Sequence, residues 1–423
     1  MKLIVNKSRL SGSVEIPGSK SHTIRAVAIA SLAEGTSVIH KPLAASDTLS
    51  AVGAYRLLGA EINTPGEWIV RGVAGRPRVP ENVIDVGNSG TTLYIALGSA
   101  ALANGVSVFT GDDQIRRRPA GPLLDALNAL RAKVSSTRSN GMAPLIVDGR
   151  LRGGRIELDC SKTSQYLTSL LINCPLAVDD THITAKNLVE RPYVDMTLRW
   201  LAEQGVEVGN DYFEEFYIPS GQSYRGFDKA IPGDFSSATF FLCAAAITGA
   251  ELTLLGLDMT DSQGDKAVVG MLEEMGAKVE PCEGGIRIRG GELRGAEFDL
   301  ADTPDALPAL AVTACFAEGE TRLVNVPQAR LKETDRIAVM REELTKMGAD
   351  IEELPDGLVI RGRPLKPAMV HGHYDHRVIM ALAIAGLCLE GETTVYSAEA
   401  LSVTFPTFVE LMCSAGALMH VDD

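Results

Sequence analysis

The sequence has no Cys-x-x-Cys pair, no excess of positive charge and no apolar run long enough to cross a bilayer. Each absence removes a class of function. The cysteines, at 160, 174, 243, 282, 315, 388 and 413, are scattered and odd in number. That argues against a disulfide framework or a structural zinc and fits reduced thiols in a cytoplasmic protein. A formal net charge of −14 argues against general binding to nucleic acid or to an anionic membrane. It leaves a small anionic ligand open, because a local basic cluster dominates its own cleft. The longest apolar stretch, Val378 to Leu389, is too short for a transmembrane helix. The opening residues Met1-Lys2-Leu3-Ile4-Val5-Asn6 turn polar quickly, so no signal peptide is expected. What remains is a 423-residue chain, 45% hydrophobic and 22% charged. That is a globular composition on a chain too long for one ordinary core, so two or more domains are expected.

An internal repeat sets the architecture. A helix end running into a strand recurs as Leu58-Gly59-Ala60-Glu61-Ile62, Leu130-Arg131-Ala132-Lys133-Val134, Gln204-Gly205-Val206-Glu207-Val208 and three more times. The second residue of each falls at 59, 131, 205, 276, 348 and 416, a step of roughly 70 residues. Glycine there suits a helix C-cap with left-handed backbone, and Arg131 breaks the pattern. Each repeat also holds a helix that is apolar nearly all round, starting near Ser21, Thr91, Ser164, Ser236, Asp305 and His376. A helix without a polar face must be covered on all sides. The second helix of each repeat, such as Leu123 to Leu130 or Ile337 to Met347, is more amphipathic. Short runs such as Trp68-Ile69-Val70 and Ile286-Arg287-Ile288-Arg289 read as strands.

Each repeat therefore reads as βαβαββ. The expected fold class is α/β: two inside-out α/β domains built from six such repeats, with buried helices and sheets outside. The stretch Gly226 to Gly233 is the natural hinge, and Gly12 to Gly18 a second crossing. The expected domains are 18–230 and 1–17 with 231–423. The first residues should pair with the C-terminal half, because the last repeat ends on a strand with no hairpin partner after it.

The starts of the buried helices are unusually polar. They read Ser19-Lys20-Ser21, Gly87-Asn88-Ser89-Gly90-Thr91, Lys162-Thr163-Ser164-Gln165, Gly233-Asp234-Phe235-Ser236-Ser237, Asp302-Thr303-Pro304-Asp305 and His373-Tyr374-Asp375-His376-Arg377. Helix N-termini carry open N–H groups and partial positive charge. Equivalent repeats would aim three such ends at one face in each half, and two facing halves would make one interdomain cleft for a ligand with several negative charges. Plain capping explains the serines and threonines but does not ask for Lys20, Gln165, Asp305 and Arg377. The basic clusters Arg116-Arg117-Arg118, Lys332-Glu333-Thr334-Asp335-Arg336 and Asp375-His376-Arg377 fit phosphate and carboxylate recognition. For Arg116 and Arg117 a solvated run is the better reading; Arg118, Arg336 and Arg377 sit by position at cleft-facing helix starts. Asp305 and Glu333 are acid–base candidates, and holding a guanidinium still is the equal alternative. Three histidines in six residues, His371, His373 and His376, invite a metal, but no separate Cys/His group supplies other ligands, so no metal is expected.

With these motifs in this order, the chain resembles the 5-enolpyruvylshikimate-3-phosphate synthase family of enolpyruvyl transferases, essentially end to end. The match includes Pro17-Gly18-Ser19-Lys20-Ser21, Gly87-Asn88-Ser89-Gly90-Thr91, Arg118-Pro119, Ser164-Gln165, Arg191-Pro192-Tyr193-Val194-Asp195, Gly233-Asp234-Phe235-Ser236-Ser237, Lys332-Glu333-Thr334-Asp335-Arg336, Asp375-His376-Arg377 and Thr404-Phe405-Pro406. The resemblance implies transfer of the enolpyruvyl group of phosphoenolpyruvate to the 5-hydroxyl of shikimate 3-phosphate, with release of phosphate, in aromatic amino-acid synthesis. It implies that Lys20, Ser21, Arg25, Thr163, Ser164, Gln165, Tyr193, Asp305, Gln328 and Lys332 hold shikimate 3-phosphate. Lys20, Gly90, Arg118, Gln165, Arg336 and Arg377 would hold phosphoenolpyruvate. Asp305, with Lys20, would take the hydroxyl proton and Glu333 would protonate the methylene carbon. Neither a metal nor an organic cofactor is implied, and the partners are these two small molecules, with no nucleic acid, no membrane and a monomeric chain.

Four positions depart from the family. Tyr94 stands where arginine is frequent, Ile95 where proline is common, and Val403 where many members carry lysine. Glu190 stands where a serine contacting the sugar phosphate is common. The herbicide glyphosate competes for the phosphoenolpyruvate pocket in the family; Gly90 leaves room for it. The nearest rival is the sister family acting on UDP-N-acetylglucosamine, which looks for a cysteine where this chain has Asp113. A rival of another class is a non-catalytic sensor of a phosphorylated metabolite on the same fold; intact Lys20, Asp305 and Glu333 speak against it.

Overall fold

The computed structural model describes residues 1–423, which divide into two compact units. The central unit is one continuous run, Gly18–Ile231, and the two-piece unit joins Met1–Pro17 to Pro232–Asp423. The crossings thus lie at 17/18 and 231/232, against expected boundaries of 17/18 and 230/231.

The central unit carries helices α1 (Lys20–Leu32), α2 (Ser46–Leu57), α3 (Gly90–Ala100), α4 (Gly121–Ala129), α5 (Gln165–Asn173) and α6 (Arg191–Glu203). The two-piece unit carries α7 (Phe235–Thr248), α8 (Ala267–Met275), α9 (Leu307–Cys315), α10 (Arg336–Lys346), α11 (His376–Gly386) and α12 (Phe408–Ser414). The odd-numbered helices are the interior ones. Every residue of α1 from His22 to Leu32 is buried, and so is all of α11. Their small side chains, such as Ala26, Ala28 and Ala30, let neighbouring helices approach closely. The even-numbered helices bury one side only; α6 buries Val194, Met196, Thr197, Trp200 and Leu201. Each unit has its own apolar core.

Three four-stranded sheets cover the helices of each unit. All six share one plan. An edge strand pairs parallel with the second, and the second, third and fourth pair antiparallel. Alternating burial, as in Trp68–Arg71 and Glu320–Val324, puts one face of each strand on the helices. This is the expected α/β, helices-inside architecture.

Two features of strand pairing were hidden from the periodicity. The strand before α1, Ser11–Glu15, pairs parallel with Glu251–Leu255, the strand after α7. The strand before α7, Asp228–Ala230, pairs parallel with Thr36–His40, the strand after α1. The two repeats that flank the crossings have thus exchanged their leading strands, and the expected hinge is an ordered strand. Lys2–Asn6 pairs antiparallel with both Leu418–Asp422 and Thr393–Tyr396, so the first strand of the chain completes the last sheet.

The helix-to-strand turn explains the glycine series. Gly59, Gly205, Gly276, Gly348 and Gly416 all have positive φ, and Arg131 takes the same left-handed conformation at φ 73°. The geometry of the repeat, not the residue, dictates this backbone; Arg131 adopts it against its steric preference.

Candidate active site

In the central unit most candidate residues sit at the N-termini of interior helices, while Arg118 lies before α4 and Tyr193 in the first turn of α6. α1 opens at Lys20 behind Ser19, whose side chain makes no capping hydrogen bond. The Lys20 ammonium lies 3.2 Å from Asp47 Oδ2, a buried carboxylate in the first turn of α2. Opposite charge there fixes the position of the lysine ammonium. α3 opens at Gly90. A Cβ at that position would come 2.5 Å from Arg118 Nη1, so only glycine lets the guanidinium lie against this backbone. Arg118 precedes Pro119, whose carbonyl accepts hydrogen bonds from Tyr94 Oη at 2.9 Å and Tyr166 Oη at 2.5 Å. Burial pushes the Tyr94 hydroxyl up to about 12, so it stays a neutral donor. Tyr94 therefore anchors the segment that carries Arg118.

α5 opens at Gln165, with Thr163 and Ser164 just before it. Gln165 donates to Thr163 Oγ1 from its backbone N at 3.2 Å and from Nε2 at 3.0 Å. Its Oε1 is buried without a hydrogen-bond partner. Thr163 Oγ1, Ser164 Oγ and Ser164 N all reach one oxygen of Glu190, at 3.3, 3.3 and 3.4 Å. Arg25 is 1% exposed and binds inward. It donates to the Ser21 carbonyl at 3.0 Å, Thr197 Oγ1 at 2.9 Å and the Tyr193 carbonyl at 3.0 Å. Burial pulls its pKa down to about 10, which leaves it charged at neutral pH. Arg25 thus clamps Ser21 and Tyr193 to one another.

The two-piece unit gathers its candidates around one guanidinium. Arg336, 1% exposed, donates from Nε to Asp375 Oδ2 at 2.8 Å and from Nη1 to Asp305 Oδ1 at 2.7 Å. Its Nη2 donates to Glu333 Oε2 at 2.6 Å and to Asp375 Oδ1 at 3.2 Å. Arg377 Nη2 lies 3.0 Å from Asp305 Oδ2. Burial alone would lower the Arg336 pKa, but Asp375, Glu333 and Asp305 outweigh it and hold it raised. Two buried cations and three carboxylates therefore form one network in which Asp305 bridges both arginines. The structure shows Asp305 and Glu333 holding a guanidinium still, each beside fixed positive charge. Gln328 donates to the Ala301 carbonyl at 2.9 Å, and its Oε1 is buried without a partner.

Other candidates resolve differently. Arg116 pairs with Asp113, and Arg117 donates to the Asp113 carbonyl at 3.1 Å, so both are local surface contacts. His373 Nε2 lies 2.7 Å from Glu343 Oε1. Glu342, Glu343 and His373 offer ligand atoms within 4.8 Å of one another, yet the Lys346 ammonium already bonds both carboxylates, at 3.1 and 2.7 Å.

Asp47 and Asp265 escaped the sequence reading, and Asp375 was read only as part of its motif, without a partner. Asp47 holds Lys20, and Asp375 holds Arg336 by two bonds. Asp265 is buried, accepts from Ser236 Oγ, and leaves Oδ1 without a partner. Burial and the charge of Asp305 push its pKa up to about 6, against the pull of Arg377. The available signal was the repeat itself. Asp47 and Asp265 lie at the starts of α2 and α8, the places equivalent to Lys332–Arg336 before α10.

Comparison with known proteins converges on one family. Residues 4–412 match the family model described as EPSP synthase (3-phosphoshikimate 1-carboxyvinyltransferase). A protein of Acetivibrio thermocellus named 3-phosphoshikimate 1-carboxyvinyltransferase is 58% identical over 418 residues, covering 99% of each chain. One of the same name from Ruminiclostridium cellulolyticum is 56% identical over the whole of both chains. Among solved structures, EPSP synthase from Acinetobacter baumannii superposes with a TM-score of 0.85 at 28% identity, covering 100% of each chain. The sheet plan, the buried network around Arg336 and these full-length matches agree, and the chain belongs to the EPSP synthase (3-phosphoshikimate 1-carboxyvinyltransferase) family.

Proposed function

We propose that this chain transfers the enolpyruvyl group of phosphoenolpyruvate to the 5-hydroxyl of shikimate 3-phosphate, releasing phosphate. The observation that carries the reading is the network in which Arg336 and Arg377 hold Asp305 and Glu333. Addition–elimination needs a base for the hydroxyl proton, an acid for the methylene carbon and fixed cations for the charge that develops between them. Asp305 takes the proton as the hydroxyl oxygen bonds to C2 of phosphoenolpyruvate. Glu333 delivers a proton to C3, giving a tetrahedral intermediate. Elimination reverses both transfers: C3 loses a proton, the C2–O bond to phosphate breaks, and phosphate leaves with the bonding pair.

The remaining groups bind. Lys20, Gly90, Arg118, Gln165, Arg336 and Arg377 are assigned to phosphoenolpyruvate. Ser21, Arg25, Thr163, Ser164, Gln165, Tyr193, Gln328 and Lys332, with Lys20 and Asp305, are assigned to shikimate 3-phosphate. For Arg25 the support is indirect, since it fixes the Ser21 and Tyr193 backbone rather than reaching outward. The reading carries a monomeric enzyme of the cytoplasm, in line with seven free cysteines. No helix is long and apolar enough to cross a membrane.

The test is phosphate release from phosphoenolpyruvate, with shikimate 3-phosphate, with UDP-N-acetylglucosamine, and with neither. Release that requires shikimate 3-phosphate is expected. Release only with the nucleotide sugar would overturn the assignment.

A further inference from the structure

Glu190 is 2% exposed, and acidic side chains are rarely so buried unless bound. Its backbone is left-handed, at φ 55°, a conformation that costs a non-glycine residue energy. Something must compensate, and the contacts name it. One carboxylate oxygen meets Thr163 Oγ1, Ser164 Oγ and Ser164 N at the head of α5. Two hydroxyls, an open backbone N–H and a helix N-terminus form an anion seat. The fit is loose: all three distances are 3.3–3.4 Å, beyond the usual range of about 2.7–3.2 Å for such bonds. A carboxylate tethered through its own backbone reaches the seat without filling it.

We propose that Glu190 is an internal anion that stands in for the sugar phosphate on Thr163 and Ser164 and swings away when the substrate binds. This rests on the assignment of those residues to shikimate 3-phosphate. Two negative groups that compete for the same three donors repel one another. The phosphate, with more oxygens and more charge, displaces the carboxylate. Apparent affinity is then lowered by the fraction of time the seat is occupied from within. Glu190 thus sets specificity: a weakly charged sugar cannot evict it, and a phosphorylated one can. Between visits it keeps a dipole end and two hydroxyls satisfied.

The test replaces the carboxylate by Glu190→Ser and, as an isosteric neutral control, Glu190→Gln. In the full-length protein, KM for shikimate 3-phosphate is expected to fall about ten-fold in the serine variant and less in the glutamine variant. The fall in KM should exceed any change in kcat, a split that damage to the fold would not produce. Direct binding of inorganic phosphate, followed by 31P NMR, should tighten in parallel. That arm needs no turnover, so it still decides occupancy of the seat if shikimate 3-phosphate is not the substrate. Unchanged or weaker phosphate binding in natively folded Glu190→Gln would overturn displacement. So would a KM that rises in the variants, because Glu190 would then be helping to hold the substrate rather than competing with it.

Discussion

The same βαβαββ plan makes two different kinds of polar surface. At the helix starts of the central unit, hydroxyls, backbone N–H groups and the Lys20–Asp47 pair are displayed with few ionic ties. In the two-piece unit, Arg336, Arg377, Asp305, Glu333 and Asp375 are bound to one another in a closed ionic network. The first surface derives its field largely from dipoles; the second holds two guanidiniums and three carboxylates at fixed distance, the contrast on which the proposed division between binding and proton transfer rests. The difference arises at the second helix of the repeat. Asp47 in α2 reaches one lysine, whereas Arg336 at the equivalent place in α10 gathers three carboxylates.

The sharpest way to break the contrast is chemical. Glu333→Gln keeps a hydrogen-bonding group beside Arg336 but removes the acid, so turnover should drop about 100- to 10,000-fold with the fold retained. Steady-state phosphate release measures it, and wild-type turnover in a folded variant removes Glu333 from the mechanism. Next comes Arg336→Met, which leaves Asp305, Glu333 and Asp375 without their shared cation. Breaking such a buried network costs about 3–5 kcal/mol, readable as a lower denaturant midpoint. A smaller loss is expected from Lys20→Met in the central unit, where one carboxylate rather than three loses its cation, and equal losses would erase the distinction between the two surfaces.

Asp265 gives the network a pH signature. Its folded pKa is about 6, raised from 3.8. A carboxyl whose pKa rises on folding favours the native state below the unfolded value and disfavours it as pH climbs through the folded one. Asp265→Asn should therefore stabilise the protein at pH 8, on the order of 3 kcal/mol, and do nothing by pH 3.5. A pH-independent effect would mean that Asp265 is not ionising in this window.

Gly90→Ala probes the binding surface. The added methyl meets the mobile end of Arg118, so stability should hold while the guanidinium shifts. KM for phosphoenolpyruvate should rise about ten-fold, the effect of one weakened charged hydrogen bond. The smallest expected effect is a gain. Arg131→Gly relieves a left-handed side chain at a turn where five sister positions carry glycine. It should add about 0.5–1 kcal/mol, seen as a higher melting temperature.

Much of this was legible in the sequence because repetition is a strong signal. The recurrent turn and the six all-apolar helices gave the number of repeats and which helices lie inside. The polar helix starts singled out Lys20, Gly90, Ser164, Asp305 and Arg377, and each lies at or just before the start of an interior helix. Partner choice was not legible. Nothing in Ser11–Glu15 or Asp228–Ala230 announces that each leads a sheet belonging to the other's neighbour. Arg25 read as a ligand contact; that its guanidinium also clamps the Ser21 and Tyr193 carbonyls was not legible, because only tertiary packing supplies those acceptors. Asp47 and Asp265 went unread, and the partner of Asp375 unseen, for the same reason, since their meaning lies in cations far off in the chain.

The pairing of Lys2–Asn6 with Leu418–Asp422 has a consequence for biosynthesis. The ribosome makes the first strand early and its last partner at the very end. At about 5–20 residues per second, that strand waits roughly 20–80 s for the rest of its sheet. The central unit, threaded uninterrupted between the two pieces, has every one of its own strands in hand long before then. Nascent chains should thus carry a finished inner unit on an unfinished host, with an orphan N-terminal ribbon for chaperones to guard.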